Sequence, residues 1–320
     1  MCLQPAREVA PRCNRSRFRL IFAVVLPLLL TVPVNGIAQS YNFSFGIIAQ
    51  PDRIGPSAPP LREALESSGR EQLEFVVLTG IKSSAEPCSD QLYETRKQMI
   101  NAVEHDVFVS AAAGDWAECR REDGGSAARE RLVRLRDIFF TGTTSGGKGQ
   151  LPLKRQSSYP EFRVYSENMR WHVGGVVFGT LNVPGNNNHY VPDAGRNSEF
   201  EDRMVANRAW LQRLLHAATT KKARLLVLFI DGDPRLSAQA RRDDSGTRDG
   251  YRELRRHLRE LVAQYSGRVL LVHQSADRGE RSRLDWRGKF GELVLAPGSG
   301  WVKAEVNGRS GTVTVSAGAQ

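Results

Sequence analysis

The sequence predicts an α/β fold, and three observations support that prediction. Short apolar runs that end at Gly, Pro or small residues alternate with longer stretches in which apolar residues recur at helical spacing. This alternation is typical of strands and helices that build an α/β sheet. The chain has 320 residues, of which 40% are hydrophobic and 25% charged, so it can bury a core.

The first half contains a β-α-β-α-β pattern followed by a third helix. The predicted strands cover 43–49, 74–79 and 107–110, and the predicted helices cover 60–68, 89–105 and 126–139. The third helix turns Leu132, Leu135 and Phe139 inward. A loop at 141–150 contains GTTSGGKG but lacks a preceding apolar strand and the terminal Gly-Lys-Ser/Thr of a phosphate-binding loop, which predicts a mobile loop.

The second half continues the pattern and then becomes strand-rich. Strands are predicted at 176–183, 224–230 and 269–273, and a helix is predicted at 201–218. Within 247–268 one apolar stripe predicts a surface helix whose arginines face solvent. Short strands at 292–295, 301–306 and 312–316 are separated by Gly and Asn turns. With no linker visible, residues 39–320 form one predicted domain.

Residues 1–38 have the features of a secretory signal peptide. Five arginines precede an apolar run at 20–34, and Gly36-Ile37-Ala38 offers small residues for cleavage. The alternative is an uncleaved anchor, but the apolar run is shorter than the ~20 residues of a spanning helix and contains two prolines. We therefore expect a periplasmic or secreted protein without a membrane span after cleavage.

The charge balance stays basic after cleavage. Loss of the five arginines and one glutamate of residues 1–38 lowers the net charge from +10 to +6. Such a balance favours anionic ligands or surfaces in general, although a solvated basic surface is the more common explanation. There is no nucleic-acid motif and no Lys/Arg-rich block, so specific nucleic-acid binding is not expected.

Export would leave two cysteines, Cys88 and Cys119. In an oxidising compartment such a pair indicates a disulfide, which would stabilise the fold by about 3–4 kcal/mol in the chain-entropy model. A zinc site is disfavoured because structural zinc needs four ligands.

Few motifs carry chemistry on their own. There is no nucleophile elbow and no paired-histidine motif, and only His273, at the end of an apolar strand, is placed like a metal ligand. Carboxylates also stand at strand ends, where open α/β sheets build sites, although turn capping is their more frequent use. They are Asp52, Asp115, Asp231 and Asp233.

Several segments of the chain match one known protein family in order. The first is GDWAECRR at 114–121, with Gly124-Gly125 and ERLVRLRDIFF at 130–140. The others are LTGIKSSAEPCSD (78–90), SENMRWHVGGVVFGTLNVPGNNN (166–188), RAWL (208–211), LLVHQSAD (270–277) and ELVLAPGSGWVKAEV (292–306). Together they resemble the calcineurin-like metallophosphoesterases, in a subgroup of exported bacterial proteins, and the first resembles the segment after that family's Gly-Asn-His-Glu type motif. The resemblance covers nearly all of residues 39–320 and includes both cysteines.

The resemblance implies a four-layer α-β-β-α sandwich, with two sheets packed face to face and helices outside. It also implies a site at the sheet ends in which two bridged metal ions activate water and hold phosphate oxygens. Asp, His and Asn ligands from five loops would hold those ions.

The first two loops depart from that pattern. In the first loop Gln50 stands where an aspartate is expected, and Asp52 is the nearest carboxylate. In the second loop Thr79-Gly80 replaces Gly-Asp, so that Gly80 stands where the metal-bridging aspartate is expected.

The remaining loops retain only isolated acids and one histidine. Ala113 and Gly114 stand at the Asn and His positions of the third loop, and Asp115 keeps an acid at the Glu position. The fourth loop is IDGDP at 230–234, with Asp231, and the fifth is HQSAD at 273–277, in which His273 and Asp277 are candidate remnants.

These departures favour a protein that has lost two-metal hydrolysis, has no cofactor and binds an anionic small molecule or protein partner. One alternative is a phosphoesterase with an altered site, in which a divalent ion such as Mn, Fe or Zn binds Asp52, Asp115, Asp231 and His273. Another is a structural or interaction protein with a filled cleft. Asn187 and Asn188 of the GNNN segment are either ligand contacts or ordinary turn residues. The sequence carries no signal for an oligomeric state.

Overall fold

Two β-sheets with helices outside them form the fold. The computed structural model describes residues 42–49, 61–192, 195, 197–236, 248–275, 281–296 and 300–318. The predicted signal peptide and three predicted site residues, Gln50, Asp52 and Asp277, lie outside these residues.

Strands and helices alternate through most of the chain, as the sequence predicts. The strands are β1 (Asn42–Ile48), β2 (Phe75–Thr79), β3 (Asp106–Ser110), β4 (Lys154–Arg155), β5 (Met169–Val173), β6 (Val176–Thr180), β7 (Leu225–Phe229), β8 (Arg268–Gln274), β9 (Arg283–Arg287), β10 (Phe290–Leu295), β11 (Trp301–Asn307) and β12 (Thr312–Ala317). The helices are α1 (Leu61–Gly69), α2 (Asp90–Asn101), α3 (Ala128–Phe139), α4 (Ser198–Thr220) and α5 (Arg252–Gln264).

Each sheet combines parallel central strands with antiparallel edges. The first sheet has the order β12-β11-β1-β2-β3, in which β1, β2 and β3 are parallel. The second has the order β4-β5-β6-β7-β8-β10-β9, in which β6, β7, β8 and β10 are parallel. The carboxyl ends of the parallel strands in one sheet meet at one edge, which is where α/β sheets build sites.

The two sheets pack face to face through aromatic side chains. Phe108 of β3 stacks on Trp171 of β5 with ring centroids 3.8 Å apart, and Phe75 of β2 contacts Phe178 of β6 at 5.0 Å. Rings in such pairs contribute about 0.5–1.5 kcal/mol beyond the burial of their area. The core between the sheets is therefore specified by large residues on both inner faces.

Residues on the central strands of the second sheet alternate between two cores. Phe178, Val227 and Leu270 belong to the core between the sheets, whereas their neighbours Val177, Leu226 and Leu271 pack with α4 and α5. This period of two explains why the strands read as continuous apolar runs, since both faces are buried.

The helices lie on the outer faces and complete a four-layer α/β sandwich. The predicted inward residues of α3 are buried, and Leu254, Leu258 and Leu261 form the buried stripe of α5. Helices α1, α2 and α3 pack with the first sheet, and α4 and α5 pack on the second. Within the described residues, no helix combines the length and apolar content needed to cross a membrane.

Three strands and one loop differ from the sequence prediction. Strands β4, β5 and β9 were not predicted, because β4 has two residues and β5 and β9 mix basic residues with apolar ones. The loop predicted to be mobile is instead hydrogen-bonded to β3, since Gly146 and Val107 exchange two backbone bonds of 2.9 Å. The predicted cysteine pair is confirmed, because Cys88 and Cys119 form a disulfide.

Candidate functional site

The loops after β2, β3, β6 and β7 are joined by hydrogen bonds to two buried aspartates. Asp115 and Asp231 were both predicted as site residues, and both are buried. We call Ile81, Ala112, Ala113, Asp115, Gly185 and Asp231 the strand-end network. Its bonds cross from the first sheet to the second, so it fixes how the loops of the two sheets meet.

Asp115 accepts backbone hydrogen bonds on both carboxylate oxygens. Its Oδ1 accepts from the Ile81 N–H at 2.9 Å, and its Oδ2 accepts from the Ala112 N–H at 2.9 Å. The Tyr93 hydroxyl donates to the Asp115 carbonyl oxygen and lies 3.8 Å from Cys119 Sγ. Asp115 therefore holds the loop after β2 against the turn at Ala113–Asp115.

Burial shifts the ionisation of Asp115. Complete desolvation raises its pKa to about 7, against the lowering effect of the two backbone hydrogen bonds and of the Lys82 charge. The side chain of Lys82 is itself buried and donates to the Ser83 carbonyl oxygen at 2.7 Å. The strand-end network thus includes an acid that is partly protonated near neutral pH.

Asp231 connects the two sheets. Its Oδ2 accepts from the Ala113 N–H and from the Gly185 N–H, both at 2.7 Å. Ala113 follows β3 of the first sheet and Gly185 follows β6 of the second, so one oxygen holds both loops. The carboxylate serves as a fixed acceptor inside the protein.

The residues at the resembling family's ligand positions do not fit a two-metal site. Gly80 has φ 103°, a backbone conformation that favours glycine, so an aspartate there would be strained. Ala113 and Gly114 are buried and offer no side-chain ligand atom. Among the described residues at these positions, Asp115 and Asp231 keep carboxylates, and both accept backbone N–H groups.

The GNNN segment forms a left-handed turn. Four consecutive residues, Asn186 to His189, have φ between 53° and 55°. Asn is the non-glycine residue best suited to this conformation, which explains the run of asparagines after Pro184-Gly185.

The predicted ligand contacts Asn187 and Asn188 make internal hydrogen bonds. Asn187 Nδ2 donates to the Arg248 carbonyl oxygen at 2.9 Å, and its Oδ1 accepts from the Gly250 N–H at 2.7 Å. Asn188 is buried, donates to the Gly250 carbonyl oxygen at 3.0 Å and accepts from Arg203. Both side chains hold residues 248–250 in place, and ligand binding by them stays a prediction.

Arg203 is a fully buried cation behind this turn. Its guanidinium donates to Glu199, at 2.7 and 3.2 Å, and to the Asn188 Oδ1 at 2.6 Å. It also lies 5.5 Å from the ring centroid of Trp116. These partners satisfy the charge within the protein, so Arg203 supports the left-handed turn from the side of α4.

His273 lies in a different cluster from Asp115 and Asp231. Its Nε2 is 3.0 Å from Glu292 Oε1, and Asp233 supplies a third ligand atom, with all three atoms within 4.8 Å of one another. We call Asp233, His273 and Glu292 the His273 cluster. The single-metal alternative requires Asp52, Asp115 and Asp231 to meet His273. In the described part of the chain, Asp115 and Asp231 do not form such a group with His273, and Asp52 lies outside the described residues.

The electrostatics of His273 reflect its partners. Burial by itself lowers its pKa, but the hydrogen bond to Glu292 and the charge of Asp233 outweigh that effect, so the pKa is raised. The side chain of His273 is 1% exposed and that of Glu292 is 12% exposed, so the pair is shielded from water.

A pocket with a basic lining lies on the outside of the second sheet. Its cavity volume is about 360 Å³, within the size range of small-molecule sites. We call it the basic pocket, and its lining residues are Tyr159, Arg170, Ala209, Gln212, Arg213 and His216. They come from β5, from α4 and from the turn before β5.

Cations surround the aromatic ring in this pocket. Arg213 Cζ lies 3.6 Å from the ring centroid of Tyr159, and Lys154 Nζ lies 4.6 Å from it. Burial acts to raise the pKa of Tyr159, but the hydrogen bond from Lys154 and the charges of Lys154, Arg170 and Arg213 outweigh it and lower the pKa. Glu161 lies 4.0 Å from Arg213 and offsets part of this charge, but the three cations outnumber it, which suits the pocket to an anion.

Sequence analysis missed four of the residues that shape these sites. Glu292 was assigned to a strand without a role, although an acid inside the apolar run GELVL is a signal of a buried partner. Lys82 gave a similar signal in TGIKSS, directly after an apolar strand. Arg203 and Arg213 resemble ordinary surface arginines of an amphipathic helix, so the sequence carried no signal for them.

Comparison with known proteins gives a distant likeness. No family model matches the chain, and no curated protein matches it. The crystal structure of the protein TT1561 of Thermus thermophilus is similar with a TM-score of 0.44 and 11% identity, over 87% of this chain and 99% of that one. A second crystal structure is similar with a TM-score of 0.41 and 11% identity, over 87% of this chain and all of its own. Functional inference therefore rests on the residues of this chain.

Proposed function

We propose that the protein is an exported member of the calcineurin-like metallophosphoesterase type that has lost two-metal hydrolysis and binds an anionic ligand. The strand-end network is the observation that carries this proposal. Its two carboxylates accept hydrogen bonds from the surrounding loops, and Gly80 adopts a conformation that disfavours an aspartate. The carboxylates of Asp115 and Asp231, which two-metal catalysis would use as metal ligands, therefore stabilise the loops instead.

The basic pocket is the proposed site for the ligand. Arg170, Arg213 and His216 supply cationic or hydrogen-bonding groups, and Tyr159 supplies a ring and a hydroxyl. Guanidinium groups recognise phosphate and carboxylate oxygens through paired N–H donors. A phosphorylated or polycarboxylate small molecule matches this chemistry and the cavity volume.

The disulfide supports the export part of this proposal. A disulfide forms where the compartment is oxidising, and the bridge between Cys88 and Cys119 agrees with the signal peptide predicted for residues 1–38. We propose that the mature protein functions in the periplasm or outside the cell.

The first test is for hydrolysis. The chain is exported into a bacterial periplasm with its own leader, purified without chelator, and assayed with p-nitrophenyl phosphate and bis-p-nitrophenyl phosphate in the presence of Mn²⁺ or Zn²⁺. We expect no turnover above the protein-free rate. Metal-dependent turnover that copurifies with the protein would overturn the proposed loss of chemistry.

The second test is for binding, with pyrophosphate as the probe in isothermal titration. We expect saturable binding that weakens at least about tenfold in the double variant Arg170→Gln/Arg213→Gln, because each lost guanidinium removes charge-assisted hydrogen bonds. Arg256→Gln, an exposed arginine on α5, is the matched control. Equal affinity in the double variant and the control would reject the basic pocket as the site.

A further inference from the structure

Both ring nitrogens of His273 face oxygen atoms. Nδ1 lies 2.8 Å from the Gln274 carbonyl oxygen, and Nε2 lies 3.0 Å from Glu292 Oε1. A neutral imidazole has one donor nitrogen and one acceptor nitrogen. Since a carbonyl oxygen only accepts, Nδ1–H donates to the Gln274 carbonyl oxygen. In a neutral His273 the Nε2 lone pair then points at the Glu292 carboxylate, which is favourable only if a proton or a metal ion lies between the two atoms.

The negative charge of the His273 cluster also favours a bound cation. Asp233 and Glu292 bring two carboxylates to a buried imidazole. Within the described residues, neither carboxylate forms an ion pair with a lysine or arginine. A proton on His273 offsets one negative charge, whereas a divalent ion bound to neutral His273 offsets both.

The fold fixes the three groups on separate elements. His273 is on β8, Glu292 is on the adjacent parallel strand β10, and the two strands pair with His273 opposite Val294. Asp233 follows β7, and its Oδ1 accepts from the Arg235 N–H at 2.7 Å, which orients the carboxylate. The bond from Nδ1 to Gln274 fixes the tautomer, as an outer hydrogen bond does for histidine ligands of metals.

We propose that Asp233, His273 and Glu292 bind one divalent transition-metal ion. One imidazole nitrogen and two carboxylate oxygens are a ligand set of the type that zinc accepts with three protein ligands and an open position. Mn²⁺ is the second candidate, because carboxylate ligands also suit it. Asp233 is only partly buried, so solvent reaches the cluster from its side.

This site differs in its ligands from the one that the family resemblance implies, because it shares only Asp233 and His273 with the family's fourth and fifth loops. Glu292 lies within β10 and belongs to none of the five ligand loops of that family. The described carboxylates at the family positions, Asp115 and Asp231, bind backbone N–H groups. Metal at the His273 cluster is therefore compatible with the loss of two-metal hydrolysis.

The test measures metal content in the full exported chain. Protein is stripped with chelator, incubated with Zn²⁺ or Mn²⁺, desalted and measured by inorganic mass spectrometry. We expect about one ion per chain, with loss of at least about tenfold in affinity in Glu292→Gln and in Asp233→Asn. Binding of Co²⁺ followed by its visible absorption reports the coordination geometry in the same samples.

The chain offers a matched control for the substitution. His257 Nδ1 lies 3.0 Å from Glu260 Oε2 on α5, which is another histidine–glutamate pair at the same distance. Glu253 lies 3.9 Å from the other ring nitrogen, and among the described residues these groups do not form a convergent set of three ligands. Glu260→Gln should leave metal binding unchanged. Substoichiometric metal in the wild type, or equal binding in Glu292→Gln and Glu260→Gln, would overturn the proposal and leave a protonated histidine–glutamate pair.

Discussion

The strand-end network and the His273 cluster both contain carboxylates on or next to parallel strands, but the burial and the partners of those carboxylates differ. Asp115 and Asp231 accept backbone N–H groups at 2.7 to 2.9 Å. Glu292 and Asp233 instead converge on an imidazole nitrogen. Asp233 also accepts a backbone N–H, from Arg235, so the convergence of two carboxylates on an imidazole is what distinguishes the His273 cluster from the strand-end network.

The largest expected effect is the loss of Asp231 from the strand-end network. In Asp231→Ala the buried N–H groups of Ala113 and Gly185 lose their acceptor, so we expect the free energy of unfolding to fall by about 3–5 kcal/mol. Urea denaturation followed by circular dichroism measures it. Asp231→Asn keeps one acceptor oxygen and should lose about half as much. A cost below about 1 kcal/mol for Asp231→Ala would contradict the stabilising role.

The disulfide should stabilise the region of the strand-end network and leave the His273 cluster unaffected. Cys119 follows the Asp115 turn and is bonded to Cys88, 31 positions earlier. Cys88→Ala/Cys119→Ala should lower the free energy of unfolding by about 3–4 kcal/mol, because the unfolded chain gains conformational entropy when this loop is no longer closed. Metal affinity at the His273 cluster should stay unchanged under native conditions. If the double variant loses the metal but keeps its fold, then the two regions are coupled.

Asp115 should give the stability a pH dependence. Its pKa rises from 3.8 to about 7 on folding, so between these values the folded state holds a proton that the unfolded chain has released. Stability should therefore fall as pH rises through this window, by about 2 kcal/mol between pH 5 and pH 7 relative to Asp115→Asn. Parallel pH-dependent slopes for the wild type and Asp115→Asn would show that Asp115 does not titrate there.

The smallest effect is expected for Asp233 in metal-free protein. Asp233 is partly buried, and Asn at this position can still accept from the Arg235 N–H, so Asp233→Asn should change the free energy of unfolding by less than about 1 kcal/mol. With Zn²⁺ present, the wild type should gain thermal stability that Asp233→Asn lacks. A large loss of unfolding free energy in metal-free Asp233→Asn would show that Asp233 stabilises the fold as Asp115 and Asp231 do.

The fold was predictable because its signals are local. The apolar runs of β2, β3, β7 and β8 and the leucine stripe of α5 appear directly in the sequence, since their burial follows from periodicity. Strand β9, with the sequence RLDWR, was missed because its charged side chains face solvent at the edge of the sheet.

The candidate sites were predictable only in part. Asp115, Asp231 and His273 were found because they lie shortly after an apolar strand or near its end. Their partners are not local, since Glu292 meets His273 through parallel strand pairing and Asp231 meets Ala113 across 118 positions. Backbone N–H groups carry no sequence signature, so the role of Asp115 and Asp231 as acceptors could be learned only from the folded structure.

The pairing between Gly146 and Val107 also bears on self-association. Strand β3 is at the edge of the first sheet, and an exposed edge is a template for adding a strand from another molecule. The segment around Gly146 occupies this edge, and a Cβ at the adjacent Gly147 would lie 2.0 Å from the His105 carbonyl oxygen. Gly147 thereby lets this segment lie against β3 at Val107, and we expect that a covered edge is less open to edge-to-edge aggregation.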